Sequence, residues 1–371
     1  MVPTETDDDL GLLRASLREF FAVHYRTSDL AECDPTSEYS GTVWKPLTEQ
    51  LALSGLHIPE EYGGQGYGFE ELGVALEESG RVLLRSPFFA STCLAANLLL
   101  NTADEPARRD YLPELAAGTL TATVTAGDSS GVWSAEPSDV IFDGAGGSGS
   151  LTGARALVLD GATADVLIVA ARHVDGGRVL AAVERDTPGL VVEPLQTLDF
   201  SRPQAAVRFH RSHARRLDAP NPEDVLTRSY YQAVACLAAE SAGAARACLD
   251  MAVAYAKQRI QFGKAIGGFQ SIKHTCADLL VEVELACSAA IAAMQAADTG
   301  DNLPTASAVA KSCVDETFLH VAETNIQIHG GIGFTWEHDA HLYLRRAASA
   351  AALLGDAAQH RSRLADRLSE R

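Results

Sequence analysis

The chain is 371 residues long, 47% hydrophobic and strongly acidic, with a formal net charge of −19 at pH 7. That length exceeds what a single compact core needs, so two or three packed layers or subdomains are expected. The charge opposes broad attraction to nucleic-acid phosphates and to anionic lipid, and no nucleic-acid partner is expected.

In chain order, the stretch from Met1 to Asp9 has neither a cationic start nor an apolar run, and no later stretch is long enough to span a bilayer. A cytoplasmic protein without a membrane span is the expectation. Leu10, Leu13, Leu17, Phe20 and Phe21 then recur at helical spacing over residues 8–25, followed by amphipathic stretches at 43–55, 68–82 and 88–118. Residues 1–118 are predicted to form an N-terminal all-α domain.

From Thr121 the texture changes to short β-branched or alternating runs at Ala122–Ala126, Val140–Phe142, Leu157–Leu159, Val166–Ala171, Val179–Val183 and Ala206–Phe209. Gly, Asp, Pro and Ser separate them, which predicts a middle domain over 119–218 built as an antiparallel sheet or small barrel. The Gly-rich run Asp143–Ser150 reads as a mobile hairpin tip. Beyond it, Ala-rich helices are predicted at 223–259, 269–298, 303–329 and 337–367, separated by turns at Gly263–Gly268 and Gly330–Gly333. They make 219–371 a C-terminal four-helix bundle and the whole chain α+β. The run Ala350–Leu354 marks the last helix as buried on nearly all sides, which suits an oligomer core.

The seven cysteines form no CxxC pair and sit mostly among Ala, Leu and Val, so buried reduced thiols are expected. The eleven histidines contain no HExxH and no Cys/His cluster, and no metal is expected.

The most informative segment runs Tyr255-Ala-Lys-Gln-Arg-Ile-Gln-Phe-Gly-Lys-Ala-Ile-Gly-Gly-Phe-Gln-Ser-Ile-Lys-His274. Between Met251 and Ala277 it holds the cations Lys257, Arg259, Lys264 and Lys273 and no acid, in a chain that is otherwise acidic. Such a helix, Gly turn and helix can bind an anion, with Arg259 forked onto a pyrophosphate and the Gly263–Gly268 backbone approaching it. A solvated basic helix end joined by a flexible turn would have the same composition, and composition leaves both readings open.

The same segment is similar to the FAD-binding pattern RxQFGxxIxxFQ of acyl-CoA dehydrogenases. Ile58-Pro-Glu-Glu-Tyr-Gly-Gly-Gln-Gly resembles that family's PEEYGGxG turn, and Gln327-Ile-His-Gly-Gly-Ile-Gly-Phe resembles its QxxGGxGF loop. The resemblance covers nearly the whole chain. It implies FAD as cofactor, an acyl-CoA as substrate, an electron-transfer flavoprotein as acceptor, and oxidation to the 2,3-enoyl-CoA. Residue by residue, it implies that Arg259, Phe262, Gln270, Gln327, Gly330 and Gly331 reach the FAD of a neighbouring subunit.

Three features implied by the family are altered. The TEPxxGSD loop corresponds to Thr123–Ser130 here, and the WIT strand, which faces the flavin, reads Leu157-Val158-Leu159. The general base precedes a late glycine in most of the family, and the residue before Gly355 is Leu354; the minority position corresponds to Ala233. Two carboxylates stand near enough to substitute. Glu240 lies seven residues after Ala233, on roughly the same helix face, where burial would raise its pKa; Asp356 follows Gly355 directly.

An intact neighbour-facing half beside an altered own-flavin half implies a subunit that completes the FAD site of a homologous partner in a heterotetramer, as in some bacterial members. Otherwise the chain is a self-sufficient homotetramer using Glu240, or an acyl-CoA-binding scaffold that has lost its flavin.

Overall fold

The computed structural model describes residues 5–34, 36, 39, 41–127, 133 and 139–369. Its chain packs as two compact units, one formed by Met1–Cys33, Phe69–Leu84 and Val234–Arg371, the other by Asp34–Gly68 and Arg85–Ala233. The first third contributes helices α1 (Glu5–His24), α2 (Gly41–Glu49), α3 (Phe69–Arg81), α4 (Asn97–Asn101) and α5 (Glu105–Ala117). Strands β1 (Ala122–Thr125), β2 (Ile141–Asp143), β3 (Ser148–Leu159), β4 (Val166–His173), β5 (Arg178–Glu184), β6 (Leu190–Leu195) and β7 (Gln204–Leu217) follow. The last third holds α6 (Pro222–Gln258), the two-residue strands β8 (Ile260–Gln261) and β9 (Lys264–Ala265), α7 (Gln270–Thr299), α8 (Leu303–His329), α9 (Ala340–Ala352) and α10 (Ala357–Ser369). The expected order of helices, sheet and helices is the one found.

In the second unit the sheet closes on itself. β4 bonds to β5, β5 to β7, β7 to β3, β3 to β2, and β2 returns to β4, so no member of this ring is left with a bare edge. Val140, Phe142, Leu151, Leu167, Val169 and Phe209 pack within its core. Most pairings are antiparallel, as expected, but β1 and β2 both run parallel to β4. Parallel neighbours require a crossover, and the long excursion between β1 and β4 supplies it. The Gly-rich run expected as a hairpin tip does close a hairpin, with Asp143 opposite Ser150. Strand β6 is not signalled by the sequence because it contains Pro194; it pairs with β7 alone, at an edge that tolerates the missing donor.

Two predicted helices are interrupted. The stretch 88–118 becomes a π-helical segment over Phe89–Ala96, then α4, then α5 after a break where Asp104 accepts a hydrogen bond from the Ala107 amide at 2.8 Å. The expected single helix 337–367 is likewise two helices. Leu354 and Gly355 take positive φ values of 60° and 90°, which stop α9, and Asp356 and Gln359 cap each other's amides at 2.8 and 3.2 Å to start α10. Nor is Ala350–Leu354 buried on all sides, since Ala352 is exposed.

The first unit is held by a backbone crossing of α3 and α6. A Cβ on Gly80 would lie 1.8 Å from the Glu240 carbonyl oxygen, and one on Gly243 would lie 1.9 Å from that of Glu77. Only two glycines allow this approach. Glu78, 1% exposed, ties α1 to α3 by accepting from Arg18 at 2.8 and 2.9 Å and from Arg14 at 3.3 Å. Among the described residues no helix is long and apolar enough to cross a membrane, and no group of three or more His, Cys, Asp or Glu is placed to hold a metal. All seven cysteines are free thiols; Cys93, Cys236 and Cys248 are buried and the other four partly so.

Candidate functional site

Helix α6 ends at Gln258, and the chain turns back at once through the β8–β9 hairpin. Ile260 faces Ala265 and Gln261 faces Lys264, so Phe262 and Gly263 alone form the turn. Both have positive φ, 50° and 78°, the signature of the tight hairpin turn whose twist matches the strands it joins. Phenylalanine rarely takes that conformation, and here it leaves the ring 91% exposed. Phe269, just ahead of α7, meets the Phe262 ring edge-on at 6.1 Å and carries the Lys264 ammonium 4.2 Å from its own centroid.

The second segment caps α8. Gly330, at φ 65° and ψ −144°, donates to the Gln327 and Ile326 carbonyls, and this backbone conformation is open only to glycine. A Cβ on Gly330 or Gly331 would meet nothing within 4 Å, so the loop presents bare backbone to open space.

Packing brings the two segments together in the first unit. Ala252 and Ala256 of α6 bury Ile328 of α8, and the Tyr255 ring stacks on His329 at 4.2 Å, with His338 a further 4.2 Å from His329. Burial pulls His329 and His338 below the usual imidazole range, which keeps this stack uncharged near neutral pH. The stack was not anticipated from the sequence; the only hint was a histidine inside the Gln-Ile-His-Gly-Gly loop. Arg259, Gln270 and Gln327 are all exposed. Neither Arg259 nor Gln327 has a side-chain hydrogen bond or ion pair among the described residues, while Gln270 reaches His274 at 3.4 Å.

The candidate base positions lie as follows. Leu354 is 1% exposed, and its carbonyl accepts from His360 Nε2 at 3.0 Å. Lys311, fully buried, donates to the Ala350 carbonyl at 2.9 Å and pairs with Asp315, whose carboxyl burial raises to about 6. The Lys311–Ala350 and His360–Leu354 contacts tie α8 and α10 to the α9–α10 turn. Ala233 is fully buried. Glu240 is 4% exposed and its carboxylate lies 3.1 Å from the buried Arg346 guanidinium. Asp356 caps α10. In the second unit Thr123 Oγ1 donates to the Leu159 carbonyl at 2.6 Å, while Asp128, Ser129 and Ser130 of the altered loop lie outside the described residues. Leu157 of the altered strand is 47% exposed.

An exposed guanidinium without a carboxylate partner, an aromatic ring held out on a hairpin, and a glycine loop with open backbone suit a ligand that combines a pyrophosphate with flat rings. The donor chemistry fits FAD.

Comparison with known proteins agrees. The acyl-CoA dehydrogenase N-terminal domain matches residues 7–119 and the C-terminal domain matches residues 225–369. Acyl-CoA dehydrogenase IpdE2 of Mycolicibacterium smegmatis is 34% identical over 331 residues, covering 88% of each chain. Acyl-CoA dehydrogenase FadE34 of Mycobacterium tuberculosis is 38% identical over 325 residues, which cover 86% of this chain but only 41% of that protein. Among solved structures, a variant of the Tcur3481-Tcur3483 steroid ACAD superposes with a TM-score of 0.87 at 28% identity, covering 98% of both chains.

Proposed function

The chain belongs to the acyl-CoA dehydrogenase family, whose members are FAD-dependent oxidoreductases acting on CH–CH bonds, and from that premise we propose that it works as one subunit of a heteromer, completing the FAD site of a related partner chain. The observation that carries this reading is Leu354. By resemblance it stands where most of the family carries the base; it is sealed from solvent and its side chain has no proton-accepting group. Two comparisons support it. Most of FadE34 lies outside the aligned region, leaving room for a second unit of this size in one chain, and the steroid ACAD carries two protein names.

Bound FAD would accept the β-hydrogen of the acyl-CoA as a hydride. This chain's contribution is to hold and orient: Arg259 against the pyrophosphate, Phe262 against a ring face, Gln270 and Gln327 as hydrogen-bonding amides, and the Gly330–Gly331 backbone as a close-fitting floor. The partner supplies the carboxylate that removes the α-proton. An electron-transfer flavoprotein then takes the electrons. The acyl group is bulky and ring-bearing, a reading supported by the similarity to the Tcur3481-Tcur3483 steroid ACAD.

Glu240 is assigned a structural role because its charge is already matched by Arg346. Purification alone and after co-expression with homologous partner chains, with flavin spectra and subunit stoichiometry, tests the proposal. One FAD per heterodimer and acyl-CoA oxidation only in the mixture are expected. Full FAD occupancy and brisk turnover by the lone chain, lost on Glu240→Gln, would establish the self-sufficient enzyme instead; no flavin under any pairing would favour the scaffold. Within the heteromer, Arg259→Ala should weaken FAD retention by about 1.5–3 kcal/mol through loss of a charge-assisted hydrogen bond.

A further inference from the structure

The first unit contains a cavity of about 340 Å³ walled by α1, α3, α6 and α7. Each helix contributes one stripe at helical spacing, for example Glu70, Gly73, Val74 and Glu77 on α3 and Cys287, Ala290, Ile291 and Met294 on α7. Small residues in its lining leave the hollow: Gly73, Ala239, Ala242 and Ala290 contribute little side-chain volume, and the Met294 side chain packs against Gly73. The floor is dry. Val74, Ala239, Ala242, Ala290 and Met294 are all buried. None of these residues belongs to the segments assigned above to FAD, and the cavity lies at the lower end of the range of small-molecule sites, about 300–1,000 Å³.

Its rim has a definite charge. Arg14 is committed to Glu77 at 2.6 Å and to Glu78 at 3.3 Å, so it offers little to a ligand anion. Glu70, on the same rim, makes no side-chain hydrogen bond or ion pair among the described residues. Gln295 adds a neutral amide at the exposed edge. An apolar floor beneath a rim with one uncompensated carboxylate selects an apolar body bearing a positive head group and rejects a carboxylate or phosphate.

We propose that this cavity is a second ligand site, separate from the segments assigned to FAD, that takes a small cationic amphiphile: the hydrocarbon lies against Val74, Ala242, Ala290 and Met294 and the cation sits beside Glu70. The site belongs to this chain whatever partner it assembles with, so its test is independent of the heteromer reading.

The test uses the full-length protein in its assembled form, titrated calorimetrically with decyltrimethylammonium below its micelle concentration and, separately, with decanoate. One saturable site per chain is expected for the cation, with decanoate weaker by at least about tenfold. Ala290→Leu places three further carbons in the cavity and should reduce cation affinity by about tenfold or more while leaving FAD content unchanged. Should that variant overpack and fail to fold, Glu70→Gln at the surface serves in its place: it should bring the cation and decanoate to similar affinities. Binding by Ala290→Leu equal to the parent, decanoate binding as tightly as the cation to the parent, an unchanged preference in Glu70→Gln, or no binding of either probe would each overturn the proposal.

Discussion

The Glu240 carboxylate and the Arg346 guanidinium face each other at 3.1 Å across α6 and α9, with 4% and 2% of their surfaces exposed. Arg346 also donates to the Leu84 carbonyl at 3.3 Å, and Tyr343, one turn earlier, donates to Arg81 O at 2.6 Å, so the pair belongs to the seam that holds α9 to the end of α3. Removing one partner strands the other charge in the interior, which commonly costs about 3–5 kcal/mol. Glu240→Gln and Arg346→Met should each lower the urea midpoint substantially. The double variant should recover part of the loss. Turnover per folded heteromer should stay close to the parent value in Glu240→Gln, which separates a structural carboxylate from a base.

Acid should destabilise the fold through two buried histidines. Burial pulls His57 and His360 from 6.5 to about 4. A histidine that is neutral when folded but free to protonate when unfolded contributes stability that is fully present above the unfolded value, and this is lost as pH falls from 6.5 toward 4. Each contributes on the order of 3 kcal/mol to that loss. Denaturant midpoints between pH 7 and pH 4.5 should fall steeply in the parent and less steeply in His57→Gln and His360→Gln; parallel slopes would refute the assignment.

The crossing of α3 and α6 admits no side chain. Gly243→Ala would put a methyl 1.9 Å from a backbone oxygen that cannot move without its helix, and should cost more than about 3 kcal/mol or abolish soluble expression. Gly11→Ala, with nothing within 4 Å, is the matched control and should be neutral or stabilising by up to about 1 kcal/mol.

Large exposed apolar side chains gather on α7, where Leu280, Val281 and Leu285 are 44%, 60% and 61% exposed. A face of that kind is normally covered by another chain. Val281→Glu with Leu285→Glu should shift light-scattering mass toward the monomer, while the same change at Val23 on α1, 72% exposed, should not.

Much of this fold was legible because its signals are local. Helical spacing of Leu10, Leu13 and Leu17, and the alternating runs from Ala122 to Phe209, needed only neighbouring residues. So did the turn expected at Gly263–Gly268 between two helices, although the β8–β9 hairpin with Phe262 and Gly263 at its tip was not foreseen. The break between α9 and α10 was also written locally, in Gly355 and the Asp356–Gln359 capping pair, but an Ala-rich run on both sides masked it. What the sequence withheld were long-range matches: Arg346 for Glu240, His329 for Tyr255, and the return of β2 to β4 that closes the ring. Sequence spacing carries no trace of such partners. Pro194 hid β6 for the opposite reason, since a residue that usually argues against a strand is harmless at an edge.

The turn at Leu354 has an implication for how activity can be gained or lost. Its left-handed backbone is imposed from outside, by Lys311 on the Ala350 carbonyl and His360 on the Leu354 carbonyl, and not by the leucine itself, which would avoid that conformation. The side chain at this position is therefore an exchangeable part on a preset mount. On the proposed heteromer reading, a hydrocarbon in place of a carboxylate at this position would change chemistry without rebuilding the turn that carries it.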